Sequence, residues 1–336
     1  MRIALVGLGA TGSHIARQVV QSPFDVIDLY DPDNKAETRT LSALRAISSD
    51  GFRANRRRVD PIDPPDVVVL ASPSGTHADL ARQMLQAGSH VVSLADDPDE
   101  VGALLELHEV AVREHRSLVV GAGFSPGLSC LLVRYAADQL DEVDAVRTYK
   151  AGTGGPACAR RHHKSLQRPA HDWVDGEWML RNGGSGRELA WFPDPFGARD
   201  CYRGALSEPL LVQRSYPEAA RISARLAANR RDRLTSWLPM LTPPHADGGP
   251  GAIRVEVRGR RNGEVQTKIL GVMDHPSVAA AIVATEVAIG VAQGVAPVGA
   301  QGLAAWDHYS ELLVAMRKRG VRVALYQGFL DVGANP

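Results

Sequence analysis

Arg2-Ile3-Ala4-Leu5-Val6-Gly7-Leu8-Gly9-Ala10-Thr11-Gly12-Ser13-His14-Ile15-Ala16-Arg17 decides the fold. The run Arg2 to Val6 is a short apolar strand, and Thr11 to Gln21 carries helical spacing, so the glycines between them sit in a strand-to-helix turn. Val26 to Tyr30 is a second strand that ends at Asp31, 19 positions after Gly12. Strand, G-x-G-x-x-G, helix, strand and acid in that order form a dinucleotide-binding fingerprint, which the glycines alone would not. Gly7 permits the tight turn, Gly9 lets a pyrophosphate approach the backbone, and Gly12 lets helix and strand pack closely. The helix start at Ala10 and Thr11 offers free N–H groups and a positive dipole end to phosphate. Asp31 suits ribose hydroxyls and repels a 2′-phosphate, which favours NAD over NADP; Lys35 and Arg39, just downstream, keep NADP open.

Outward from that turn, residues 1–120 repeat one grammar. Val67 to Ala71 is a continuous apolar strand, Ala78 to Ala87 a helix, His90 to Ser93 a strand, about Asp99 to His115 a helix, and Ser117 to Val120 a strand. Alternation of this kind predicts right-handed crossovers and a doubly wound parallel sheet. After Gly121 the grammar changes. A helix follows Pro126 through Leu140, then a strand from Val143 to Tyr149. The stretch from Gly152 to about Arg203, rich in Gly, Pro, His, Arg and Trp, reads as long loops around short elements. Ile222 to Ala228, Ala252 to Gly259 and Val265 to Met273 read as strands, the last two joined at Asn262-Gly263, a hairpin signal. Helices over Ser277 to Gln293 and Ala304 to Arg319 and a strand over Val321 to Tyr326 follow. The fold class is therefore α/β: a parallel sheet domain over 1–123, a second α+β domain with a largely antiparallel sheet over 124–300, and a C-terminal helix and strand over 301–336 that return towards the first domain.

Composition narrows the function classes. The 336 residues are 44% hydrophobic and 23% charged, with 38 Lys+Arg against 38 Asp+Glu. A net charge of zero lacks the electrostatic footprint of nucleic-acid binding, and Arg56-Arg57-Arg58 reads as a solvated loop. Cys130, Cys158 and Cys201 are few and scattered, as free thiols in a reducing, cytoplasmic setting. The N-terminal stretch does not read as a signal peptide. Val278 to Ala296 is apolar but carries Glu286 near its middle, which suits a buried helix better than a membrane span.

In a doubly wound sheet, ligands bind where the strands' carboxyl ends open. Ser72-Pro73-Ser74-Gly75-Thr76-His77 follows one such end and runs beside the nicotinamide end of a cofactor, with Ser72 and Ser74 available to its ribose. His77 reads either as a backbone-bonded residue opening its helix or as a group beside substrate. Asp96 and Asp97 follow another strand end; capping before Pro98 accounts for one of them. In the second domain, Lys150 ends a strand, and Arg160-Arg161-His162-His163-Lys164 reads either as a mobile basic surface loop or as a cluster able to clamp carboxylates, with His163 a candidate proton donor. Arg199 and Arg203 are further carboxylate candidates. Trp173, Trp178 and Trp191 read as packing or as an aromatic wall. Cys158, His162 and His163 match no established zinc spacing and lack a fourth nearby ligand, so no metal is expected.

The order GLGATG, ASPSGTH, VVSLADDPDEV and GAGFSPGLS resembles the saccharopine dehydrogenase-like reductases, a Rossmann family related to Gfo/Idh/MocA-type oxidoreductases. Residues 1–140 carry the resemblance; FPDPFGARDCYRGAL and VMDHPSVAAAIVATEVAIGVAQG continue it diffusely. It implies a nicotinamide-dependent oxidoreductase of amino-acid or secondary metabolism that interconverts an amine with an imine or carbonyl compound, and a homodimer formed through the second sheet. The related sugar oxidoreductases place a catalytic Lys after the fifth strand; here the stretch is Ser93-Leu94-Ala95-Asp96, which argues against sugar-alcohol chemistry. The expected site thus comprises His77, Asp96, Lys150 and His163 for proton transfer. Gly7, Gly9, Ala10, Thr11, Gly12, Asp31, Ser72, Pro73, Ser74, His77 and Gly123 would hold cofactor. Phe124, Pro126, Arg160, Arg161, Arg199 and Arg203 would hold a small, carboxylate-bearing substrate. Two rivals stay open: an alcohol or aldehyde dehydrogenase, and a non-catalytic nucleotide sensor or scaffold.

Overall fold

The computed structural model describes residues 1–48, 51–240 and 243–326. The first part runs β1 (Arg2–Val6), α1 (Ala10–Val19), β2 (Val26–Tyr30), α2 (Asn34–Ile47), β3 (Arg53–Arg56), β4 (Val67–Leu70), α3 (His77–Gln86), β5 (His90–Ser93), α4 (Pro98–Leu105), α5 (His108–Arg113) and β6 (Ser117–Val120). These strands form a parallel sheet in the order β6-β5-β4-β1-β2-β3. Strands β1 and β5 are buried at all but their first residue and β4 and β6 at every residue, as expected of strands covered on both faces. The edge strand β3 is polar and largely exposed, so no apolar alternation marks it. Arg56, expected in a solvated loop, belongs to this edge and pairs with Glu37 at 2.6 Å. The single helix expected over 99–115 breaks into α4 and α5.

The second part continues α6 (Leu128–Ala137), β7 (Glu142–Ala151), α7 (Pro156–Ser165), β8 (Ala170–Val174), β9 (Glu177–Arg181), β10 (Glu188–Phe192), β11 (Gly197–Arg203), α8 (Glu208–Gln213), β12 (Arg221–Ala227), α9 (Arg230–Thr235), β13 (Gly251–Arg261) and β14 (Glu264–Asp274). The chain then runs α10 (Pro276–Ala292), β15 (Gly299–Gln301), a 3-10 turn at Leu303–Ala305, α11 (Tyr309–Lys318) and β16 (Val323–Tyr326). The second sheet is ordered β10-β11-β12-β7-β13-β14-β16, with β8 and β9 paired beside β12. All its pairings are antiparallel except β12 with β7. The long β13–β14 hairpin turns at Asn262-Gly263, as expected.

Two expectations change. Residues 152–203 are not long loops but α7 and four strands. Strand β9 has no buried residue and β10 buries only Ala190 and Phe192, so the alternation that announces a strand is weak there. The return to the first domain also begins earlier than residue 301. Helix α10 packs along α1 and beneath β4 and β5, and β15 joins the parallel sheet beside β6 as its seventh strand. α10 is apolar all round and buried nearly throughout, as a helix between two layers must be. Its one carboxylate, Glu286, is paired with Arg319, which also donates to Gln18 Oε1 at 2.7 Å. Among the described residues no helix is long and apolar enough to cross a membrane.

Candidate functional site

The glycine turn is built as its spacing requires. Gly7 has φ +95°, and a Cβ there would lie 2.4 Å from Ser72 N. A Cβ on Gly12 would strike Gly7 O at 1.9 Å. Gly9 differs: a Cβ there would meet nothing within 4 Å. Its face opens into a cavity of about 530 Å³ that runs between the two sheets. Gly9 caps α1 with no side chain, so the helix's first N–H groups remain available to a phosphate. Asp31, on the cavity wall, accepts from Leu8 N at 2.6 Å and from Asp33 N at 2.8 Å. A carboxylate has about four acceptor positions, which leaves capacity for ribose hydroxyls. The open face at Gly9, the uncapped helix start and Asp31 fit a nicotinamide dinucleotide.

The far half of the same cavity is lined by Ser72, Pro73, Ser74, Asp96, Gly123, Phe124, Ser125, Pro126, Lys150, Cys158, Arg160, Arg161 and His162. Lys150, at the end of β7, is 3% exposed, and its Nζ donates to Ser125 O at 3.1 Å. Among the described residues it makes no ion pair. Ser125 Oγ in turn donates to the buried Glu208 carboxylate. Asp96 is ion-paired with Arg161, which also donates to Ser74 Oγ at 2.8 Å and so bridges the cleft from α7. Asp97 is the residue that caps α4, accepting from Asp99 N at 3.1 Å, and it pairs with Arg168. Of the two aspartates, Asp96 faces the cavity.

Helix α7 carries Cys158 and His162 one turn apart on the side that faces the cleft. Pro156 at its first position preorganises the start, and His162, His163 and Lys164 in the last turn complement the dipole. Burial, then Lys150 and Arg161, hold the His162 imidazole well below its ordinary range, so it is neutral. Burial, with Asp96, raises the Cys158 thiol.

Four expected residues lie elsewhere. His77 is buried behind the cleft wall, with Nδ1 2.9 Å from Ser93 Oγ and Nε2 3.0 Å from Ser72 Oγ. It staples two strand ends and does not line the cavity. His163 points away from the cleft, its Nε2 2.9 Å from Thr235 O, because a one-residue step on a helix turns the side chain by about 100°. Arg203 pairs with Asp172 at 2.7 Å, and Arg199 stacks over Phe196 at 5.1 Å. Trp173 and Trp178 pack edge to face at 5.1 Å. Sequence reading omitted His162 from the site; its signal was the four-residue spacing to Cys158, which means one face only once the segment is known to be helical.

Residues 1–121 match the model of an oxidoreductase family described by its NAD-binding Rossmann fold, the Gfo/Idh/MocA family. Over most of its length the chain shares its fold with solved dehydrogenases. Against saccharopine dehydrogenase (L-Glu forming) from Saccharomyces cerevisiae the TM-score is 0.70 at 13% identity, covering 97% of this chain and 100% of that one. Against DAP dehydrogenase from C. glutamicum the TM-score is 0.50 at 14% identity, over 96% and 99%. An amine dehydrogenase from Mycobacterium smegmatis gives 0.50 at 12% identity, over 90% and 95%.

Proposed function

We propose that this chain, whose first 121 residues carry the NAD-binding Rossmann fold of that oxidoreductase family, interconverts a secondary amine or amino-acid conjugate with an imine or carbonyl compound. The observation that carries the reading is Lys150: a buried amine in the wall of the cofactor cleft, held by one backbone carbonyl. A buried cation without a counter-charge is costly, so it is kept where an incoming group completes its partners. The nicotinamide cofactor supplies the two-electron transfer. The chain's own residues align the substrate and move a proton. Lys150 protonates the imine nitrogen, or takes a proton from the amine in the other direction. Arg160, exposed on the wall of the same cavity, reads a substrate carboxylate, while Phe124 and Pro126 form the apolar wall that excludes water. The lysine absent after the fifth strand is thereby supplied from β7, on the opposite side of the cleft. Fold analogy with the saccharopine, DAP and amine dehydrogenases points to the same reaction class.

Domain limits near Gly123, NAD as the preferred cofactor and a homodimer through the second sheet belong to the same proposal. The exposed Leu189, Trp191, Val323 and Leu325 stand on the two outer strands of that sheet, β10 and β16.

Titration of NADH and NADPH followed by nicotinamide fluorescence should give saturable binding, and an amine panel should then drive cofactor reduction. Binding with turnover of hydroxy compounds alone would sink the amine reading; binding with no turnover would favour a sensor. Lys150→Met should lower kcat/KM by about 10²–10⁴ while the NADH titration stays unchanged. An unaltered rate would remove Lys150 from the chemistry.

A further inference from the structure

Asp96, Cys158 and His162 bring one ligand atom each to within 4.8 Å of one another. Two arrangements of such a trio have different geometry. In a nucleophile triad the thiol and the carboxylate take opposite nitrogens of the imidazole. Here both face the same nitrogen: His162 Nε2 lies 3.5 Å from Cys158 Sγ and 3.9 Å from Asp96 Oδ2. With both partners on one ring nitrogen the trio has no relay through the ring, and its three ligand atoms are close enough to share one centre.

We infer that these three residues form a zinc-type cation site with one open coordination position in the substrate half of the cleft. Zinc bonds of about 2.3 Å to sulfur and 2.0–2.1 Å to nitrogen at the tetrahedral angle separate the two donors by about 3.6 Å. The observed 3.5 Å meets that without movement. Asp96 would close by roughly half an ångström to reach a tetrahedral nitrogen-to-oxygen separation. A thiolate, a neutral imidazole and a carboxylate select zinc over magnesium or calcium. Three protein ligands and a free position are the pattern of a catalytic zinc, whereas structural sites are closed by four.

The surroundings supply the outer shell such a site needs. Arg161 holds Asp96 through Oδ1, leaving Oδ2 turned to His162. Outer partners of this type orient ligands. Lys150 and Arg161 are the cations that oppose a metal here, offset by the two negative ligands. Cys158 and His162 come from α7, whereas Asp96 follows β5, so the site exists only when the two halves of the cleft meet. All three residues line the substrate half of the cavity, where a bound Lewis acid would polarise a carbonyl or imine.

Metal content is measured without turnover, so the site stands or falls apart from the amine reaction. Untagged protein is loaded with zinc, freed of excess metal by gel filtration and assayed by elemental mass spectrometry; a second sample is loaded with cobalt for its absorption spectrum. The expected result is about one zinc per chain and a thiolate-to-cobalt band. Cys158→Ser should abolish that band, and His162→Ala should lose the bound metal while the chain still melts cooperatively. Wild-type protein that retains no zinc, or whose cobalt spectrum lacks a thiolate band, overturns the site even if neither variant folds. A band that survives in Cys158→Ser overturns it equally.

Discussion

The glycines show how much one atom decides. Gly12 and Gly9 are three residues apart, yet a Cβ on the first would strike backbone at 1.9 Å and on the second would stand in open space. Gly12→Ala should therefore destabilise the fold by about 3 kcal/mol, measured by urea unfolding. Gly9 already has backbone angles any residue adopts, φ −68° and ψ −160°. Gly9→Ala should keep stability within about 1 kcal/mol and instead weaken NADH binding, because the methyl occupies the phosphate face. Equal unfolding losses in the two variants would contradict this division. Asp31 acts at the same scale. Asp31→Ser removes the charge that repels a 2′-phosphate and should narrow the preference for NADH over NADPH in parallel titrations; unchanged discrimination would refute the ribose contact.

Helix α7 and the turn before α4 carry the cleft's closing contacts. Asp97 caps α4 and pairs with Arg168, so two functions meet in one carboxylate. Asp97→Ala should cost about 1–2 kcal/mol, seen as a lower melting temperature, and Asp97→Asn should recover most of the cap. No difference between Ala and Asn would show that the cap contributes nothing. The strand–glycine–helix unit was legible because each side chain there answers to its own element: β4 throughout, and β1 and β6 after their first residue, are buried apolar runs. α7 was not legible. Its sequence, Pro156 to Ser165, is mostly polar, buries only Ala159, His163 and Ser165, and is stabilised by its terminal residues and by contacts across the cleft. A helix without an apolar stripe gives no periodicity to find, and without the helix the facing of Cys158 and His162, and the turning away of His163, stay hidden.

For the molecule as a whole, the balance of 38 acidic against 38 basic residues conceals a pairing across the two halves. Asp96, Asp97 and Asp99 on the nucleotide side meet Arg161 and Arg168 from the second. Four histidines, His14, His77, His90 and His162, are held below the ordinary 6.5, chiefly by burial. The unfolded chain therefore binds more protons than the folded one as pH falls below 6.5, and stability should drop in that window while staying flat in this respect above it. Urea unfolding across pH 5 to 8 reads this directly; stability that rises on acidification would contradict it.

The sequence by itself determined the parallel sheet, the glycine turn and Asp31 at its place, because these follow from local spacing. Only the tertiary structure decided which polar groups share the cleft. It brought Lys150 from β7, Asp96 from the end of β5 and His162 from α7 to one cavity, turned His77 and His163 into staples, and left Arg199 and Arg203 outside. The reason is physical: a site joining two sheets is set by how far their layers stand apart and which way each element faces. Neither quantity is written in the spacing of residues along any one element.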